Sequence, residues 1–295
     1  MKHTDKKMFD YSKSKFSCDD SSSHGIRDFQ KMILSYYEDH GREMAWRNTY
    51  DPYQILVSEI MLQQTQVERV AAKFPVFIET FPHFAALAAA PLADVLTVWQ
   101  GMGYNRRAVS LQKCAVKVIT EYHGILPTDV DKLATFPGIG RATASSIAAF
   151  AFNLPVVFIE TNIRRVFIHF FFGDANRVDD ADILPLVEKT LHYENPRIWY
   201  WALMDMGSDL KKKVANPNRR SAHYSRQSPF EGSDRKIRGI IIRMVLDKKE
   251  IKEEEFLSLL RDDPARITRI LSALVSEGLL YQDNDRFFLT HNAGS

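Results

Sequence analysis

Apolar positions recur with a helical period along most of the chain. Between 26 and 40, Ile26, Phe29, Ile33, Tyr36 and Tyr37 fall three or four residues apart, which predicts an amphipathic helix. Pro52 opens a second helix through Val57, Ile60 and Leu62. Helical patterns then follow one another to about residue 210. They are interrupted at Phe81-Pro82, Gly101-Met-Gly103, Gly124, Pro137-Gly-Ile-Gly140 and Gly173-Asp174. No stretch sustains strand alternation, so 26–210 is predicted to be all-α, and residues 1–25 to be a disordered lead.

The pattern changes at 211–235, which is polar, basic and short of apolar residues, and it predicts an irregular linker or loop. Order returns over 236–292. Segments 237–246 and 256–260 look helical, and Asp263-Pro264 is a helix start with a capping carboxylate before a first-turn proline. Ile267, Ile270, Leu271, Leu274 and Val275 form one apolar face. Segments 279–281 and 287–289 flank a polar Gln-Asp-Asn-Asp turn, the mark of a hairpin. Three helices and a hairpin resemble a winged helix.

Composition narrows the class. The chain has 295 residues, 45% hydrophobic and 26% charged, enough to bury at least one core. A net charge of +2 does not exclude nucleic acid, because attraction depends on where the basic groups cluster. Cys18 lies in a serine-rich stretch and Cys114 on an apolar face, so neither a disulfide framework nor a four-thiolate metal site is expected. No apolar run approaches the roughly 18 residues of a membrane span. The first 25 residues lack an apolar signal core. The expected location is intracellular: cytoplasmic or nucleoid-associated in a prokaryote, nuclear in a eukaryote.

Two segments carry chemistry. In LATFPGIGRATA (133–144) a helix ends, two glycines turn the chain, and a small-residue helix begins. Such a turn bares backbone N–H groups at a helix N-terminus, where an anion such as a DNA phosphate is stabilised. An ordinary glycine-capped αα-turn is the alternative. In SEIMLQQTQV (58–67) Glu59 lies in a largely apolar helix, where burial favours the protonated carboxyl that a general acid requires. The following Gln63, Gln64, Thr65 and Gln66 could fill the space of an extruded base or bond base edges. The alternative is a solvent-facing Glu59 with a polar helix end.

With Trp46-Arg47, Pro52-Tyr53, Ala90-Pro-Leu92, WQGMGY (99–104) with Arg107, IETNIRRV (159–166) and ALMDMG (202–207), these motifs run in one order over about 26–230. The set resembles the MutY-type adenine-specific mismatch glycosylases of the helix-hairpin-helix superfamily. The resemblance implies a two-lobed, all-α glycosylase fold that acts on double-stranded DNA, without membrane, as a monomer. It gives Glu59 the role of the acid protonating adenine N7, Tyr104 that of an aromatic wedged into the base stack, and Gln64 that of an amide inserted near the mispair. The matched motifs imply a DNA-contacting set of Trp46, Arg47, Gln63, Gln64, Thr65, Gln66, Tyr104, Gly138, Gly140, Arg141, Asn162 and Arg164.

The chain departs from that family at three places, and from its strand-nicking relatives at a fourth. The aspartate that steadies the sugar cation is replaced by Glu160, which keeps the charge but adds a methylene and is expected to disturb the helix cap. Misplacement on that scale can lower a rate on the order of 10²-fold. The lysine of strand-nicking relatives is replaced by Ala142, so water is the expected nucleophile and the enzyme monofunctional. The four cluster cysteines are replaced by Lys211, Asn218, Ser221 and Gln227, so no iron–sulfur cluster, and no other cofactor, is expected. Lys211, Lys212, Lys213, Arg219, Arg220 and Arg226 leave that loop basic, a surface for phosphates or merely a solvated charge run. Finally, the tail is not the nucleotide-hydrolase-like domain of typical members. Three readings follow: an adenine glycosylase acting opposite 8-oxoguanine or guanine, a same-scaffold enzyme for T or U opposite G, or a catalytically silent lesion-binding protein.

Overall fold

The computed structural model describes residues 9–11, 16, 23–173, 175–225 and 229–290. Cys18, Asp174, Arg226, Gln227 and most of the lead segment lie outside the described residues. The chain divides into two compact units. The first takes 1–50, 128–134 and 140–226; the second takes 51–127, 135–139 and 227–295.

The first unit contains α1 (Ser23–His40), α7 (Val130–Ala134), α8 (Arg141–Phe152), α9 (Thr161–Phe171), α10 (Asp180–Thr190) and α11 (Pro196–Lys213). Its core is aromatic: Phe29, fully buried, meets Phe167 at 5.6 Å and Trp199 at 5.9 Å between ring centroids. The helices α9 and α11 run so close that a Cβ on Gly207 would stand 2.2 Å from the Asn162 carbonyl oxygen. Only glycine fits there. The segment after 210 is more ordered than its composition predicts. Lys211, Lys212 and Lys213 continue α11, and Pro217–Arg220 forms a 3-10 turn whose cap, Asn216, accepts from the Asn218 N–H at 3.2 Å. Lysines are good helix formers, and a proline behind a capping asparagine starts a turn, so neither stretch was bound to be irregular.

The second unit contains α2 (Pro52–Leu62), α3 (Val67–Thr80), α4 (Phe84–Ala89), α5 (Leu92–Trp99) and α6 (Arg106–Tyr122). Asp51 caps α2 by accepting from the Tyr53 N–H at 2.9 Å, with Pro52 in the first turn. Phe77 and Trp99, both fully buried, meet at 5.9 Å, and Tyr53 donates its hydroxyl to the Phe81 carbonyl at 2.5 Å. Cys114 is buried on the inner face of α6, and burial pushes its thiol up to about 12, leaving it inert.

The same unit includes the C-terminal module: α12 (Asp234–Lys248), β1 (Glu250–Lys252), α13 (Glu253–Leu260), α14 (Pro264–Ser276), β2 (Leu280–Asp283) and β3 (Arg286–Leu289). The sheet is antiparallel with order β1-β3-β2, pairing Ile251 with Phe287 and Tyr281 with Phe288. Helix, strand, two helices and a hairpin make a winged-helix arrangement. The hairpin and helices were legible in the sequence, whereas β1 is three residues long, too short for any alternation to register. Among the described residues no helix is long and apolar enough to cross a membrane.

Candidate active site and nucleic-acid interface

In the second unit the candidate residues gather around the C-terminal end of α2. Glu59 is half-buried between Ser58 and Ile60, which are both fully buried. The helix stops at Leu62, and Gln64 takes a left-handed conformation at φ +53°. Gln63 donates its amide to the Gly138 carbonyl at 3.2 Å, so the glutamine segment is tied to the glycine turn. Gly138 itself has φ +76°, and a Cβ there would stand 2.9 Å from that of Ser110. Gln64 and Gln66 are exposed, while Thr65 is half-buried.

Arg107 holds this corner together. Its guanidinium donates to the carbonyls of Ile60 (2.9 Å), Met61 (2.8 Å), Gln63 (2.5 Å), Met102 (3.2 Å) and Gly103 (3.2 Å), and to the Thr65 hydroxyl (2.8 Å). Burial pushes its pKa down to about 10, and it stays a cation at neutral pH. It answers the unpaired carbonyls at the end of α2 and fixes the turn that carries Tyr104. Spacing along the sequence gives Arg107 no role, because four of its six acceptors, on Ile60, Met61, Gln63 and Thr65, lie more than 40 residues away.

In the first unit Glu160 is the N-cap of α9. Its carboxylate accepts from the backbone N–H groups of Asn162 (2.6 Å) and Ile163 (2.9 Å) and from the Asn162 amide (3.3 Å). The expected disturbance of the cap is therefore corrected: the longer side chain still reaches both first-turn donors. Burial raises the Glu160 pKa, against the opposing pull of the Ile163 and Asn162 N–H groups and the Arg165 charge. Arg165, itself buried, donates to the Asn162 side-chain oxygen (2.7 Å), the Gly207 carbonyl (2.5 Å) and Asn216 (3.1 Å). Asn162 thus lies between the acid and the arginine.

Several expected DNA contacts have internal partners instead. Trp46 is buried, and Arg47 forms a two-pronged bond to the buried Asp205, each contact at 2.8 Å. With the side chain of Arg47 only 6% exposed, its place in the DNA-contacting set is corrected: it neutralises an internal carboxylate. Trp46 is corrected likewise, because its ring belongs to the core. Arg164 clamps Asp180 through two bonds of 2.6 Å. Arg141 begins α8 directly after Gly140 and pairs with Asp131 at 2.7 Å, both well exposed, a contact that costs little to break.

The positions of the absent cysteines have been taken over in part. Asn218 is buried and donates to the Thr161 carbonyl at 2.8 Å. Ser221 is buried and pairs in a parallel bridge with Val178. Lys211 is exposed. Asn218, Ser221 and Lys211 supply no thiolate, and the whole chain has two cysteines where such a cluster uses four, so the residues present do not fit it. Arg220 donates to the carbonyls of Phe172, Gly173 (2.8 Å), Ala175 (3.2 Å) and Ile168 (3.2 Å), closing the C-terminal end of α9. It therefore leaves the expected basic surface, where Lys211, Lys212, Lys213 and Arg219 remain exposed.

In one unit α2 carries Glu59 and is tied to the glycine turn through Gln63, and in the other Glu160 caps α9. The HhH-GPD superfamily base excision DNA repair protein family matches residues 57–186. An adenine DNA glycosylase of Mycolicibacterium smegmatis is 34% identical over 280 residues, covering 89% of this chain and 96% of the relative. A solved thermostable thymine-DNA glycosylase is 26% identical, with TM-score 0.60, over 64% of this chain and 88% of its own. A non-covalent endonuclease III–DNA complex shares the fold at 22% identity and TM-score 0.50, over 71% of this chain and 90% of its own. The chain belongs to the HhH-GPD superfamily of base excision DNA repair proteins. It is a DNA glycosylase.

Proposed function

We propose that the protein hydrolyses the N-glycosidic bond of an adenine mispaired with 8-oxoguanine or guanine in duplex DNA, as a monomer and without an iron–sulfur cluster. The observation that carries the choice of base is the similarity to an adenine DNA glycosylase over 96% of that relative's length. Glu59, as the acid, delivers its proton to N7 of the flipped adenine. The C1′–N9 bond breaks, its electron pair leaves with the purine, and positive charge develops on the sugar. The Glu160 carboxylate steadies that charge. A water molecule adds to C1′ and loses a proton, giving free adenine and an abasic site. Ala142 offers no amine, so no Schiff base forms and the strand stays intact until alkali cuts it.

DNA contact is assigned to the hairpin N–H groups between Gly138 and Arg141 and to the exposed Gln64, Gln66, Lys211, Lys212, Lys213 and Arg219. A second reading, excision of a different mispaired base, is favoured by the likeness to the thymine-DNA glycosylase. Single-turnover base release over A·8-oxoguanine, A·G, T·G and U·G duplexes, followed by alkali, decides between them. Adenine release that Glu59→Gln abolishes is expected; cutting of T·G with A·8-oxoguanine left whole overturns the proposal.

A further inference from the structure

Tyr104 follows a turn in which Gly101 and Gly103 have positive φ, and it is itself left-handed at φ +48°. A tyrosine rests in that conformation only when its surroundings impose it. Two guanidinium groups flank its ring, with Arg107 and Arg235 each placing Cζ 5.5 Å from the centroid. Arg235 also donates to the Tyr104 hydroxyl at 2.6 Å, across 131 residues of sequence. Arg107 belongs to the frame already described. Arg235 comes from the first turn of α12, in the C-terminal module.

That first turn is anchored from behind. Arg266 of α14 donates to Asp234 at 2.8 Å and to the Gly232 carbonyl at 2.6 Å, and Arg269 adds a bond to Asp234 at 3.1 Å. The Tyr104 hydroxyl is thus connected through Arg235 to α12 and α14. Beside it opens a recess of about 630 Å³ whose lining includes Gln64, Tyr104, Ser233, Arg235 and Arg266. The recess is of mixed charge, since Glu231 and Asp234 line it beside the two arginines.

We propose that Arg235 is a positioning residue for Tyr104, through which the C-terminal module sets the aromatic that reads the purine opposite the excised base. The role of Tyr104 and the choice of duplex rest on the adenine-glycosylase reading; the contact between Arg235 and Tyr104 does not. A pinned ring pre-organises the wedge, so its ordering cost falls before DNA arrives. Losing the pin weakens capture of the mispair and leaves the bond-breaking step alone.

The test uses the full chain with Arg235→Ala, Arg235→Lys, Tyr104→Phe and the Ala/Phe double variant. Three quantities are read: affinity for A·8-oxoguanine and A·G duplexes, single-turnover adenine release at saturating enzyme, and fluorescence of 2-aminopurine stacked beside the partner base. Arg235→Ala is expected to weaken binding about tenfold, as the loss of one charged hydrogen bond does, with the saturating rate nearly unchanged. The 2-aminopurine brightening should fade with it, and lysine should restore part of both. In the Tyr104→Phe background the same change should add much less, because coupled residues are not additive. Additive effects, or a fall in rate with binding and fluorescence intact, overturn the proposal. If no adenine is released yet brightening still depends on Arg235, the adenine reading fails and this one stands. If adenine is released and the Arg235 series is flat, only this one fails.

Discussion

Glu160 has a raised pKa because its carboxylate is buried more effectively than its N–H partners can offset. Its folded-state value therefore lies above the ordinary one of 4.5. The folded protein then holds that proton to higher pH than the unfolded chain, and stability falls as pH rises from the unfolded to the folded value. Glu160→Gln should remove that segment of decline in a urea titration across acid pH. The anion is the form that steadies a sugar cation, so base release should fall as pH drops through the raised value, placing the acid limb above pH 4.5. Glu160→Asp tests how far the site has adapted to the longer side chain. The cap here is built around the glutamate, so Asp should slow release, on the order of tenfold, in a single-turnover assay; acceleration would mean that the native length is a handicap. Asp205 shows the opposite sign. Burial would raise its pKa, but Arg47 and Arg42 overcome that and hold it below the usual carboxylate value of 3.8. Its stabilising effect is present above the unfolded value and is lost as pH falls through the lower, folded one. Asp205→Asn should destabilise by about 3 kcal/mol in denaturant unfolding, because two arginines lose their counter-charge.

At the scale of elements, two close approaches govern the candidate site. Gly207→Ala puts a methyl into the Asn162 carbonyl, and separating α9 from α11 would displace the Glu160 cap with it. We expect a loss of about 1–3 kcal/mol, typical of forced overpacking, and a lower melting temperature. Arg107→Ala strips six acceptors at the α2 terminus and the Tyr104 turn. It should cost about 2–4 kcal/mol, more than any single exposed ion pair, with calorimetry as the check. The helices themselves were readable from spacing, as 26–40 and the start at Pro52 show, and so were the FPGIG turn and the Glu59 segment. The run of Lys211, Lys212 and Lys213 was not recognised as helical, because a polar face carries no hydrophobic period. Nor did spacing reveal that Arg47 faces Asp205, 158 residues away, or that Arg220 closes α9.

For the whole molecule, a net charge of +2 hides an uneven distribution. Lys211, Lys212, Lys213 and Arg219 are exposed near the end of α11, whereas Arg47, Arg107, Arg165 and Arg220 have internal acceptors. Replacing the three lysines with glutamine should flatten the dependence of DNA affinity on salt by about 2–3 units of log–log slope, measured on undamaged duplex between low and physiological salt. Base release at saturating enzyme should change little. An unchanged slope would remove this patch from the DNA-binding surface.

Spacing along the chain determined the helical class and the glycine turn, because each depends on residues that are neighbours in sequence, whereas the roles of the Glu59 segment and of the missing cysteines came from the family resemblance. Which arginines meet DNA and which serve as internal struts was decided by tertiary structure. So were the Gln63–Gly138 link and the grip of Arg235 on Tyr104. A guanidinium carries the same charge in either role, and its partner is selected only when distant segments fold into reach.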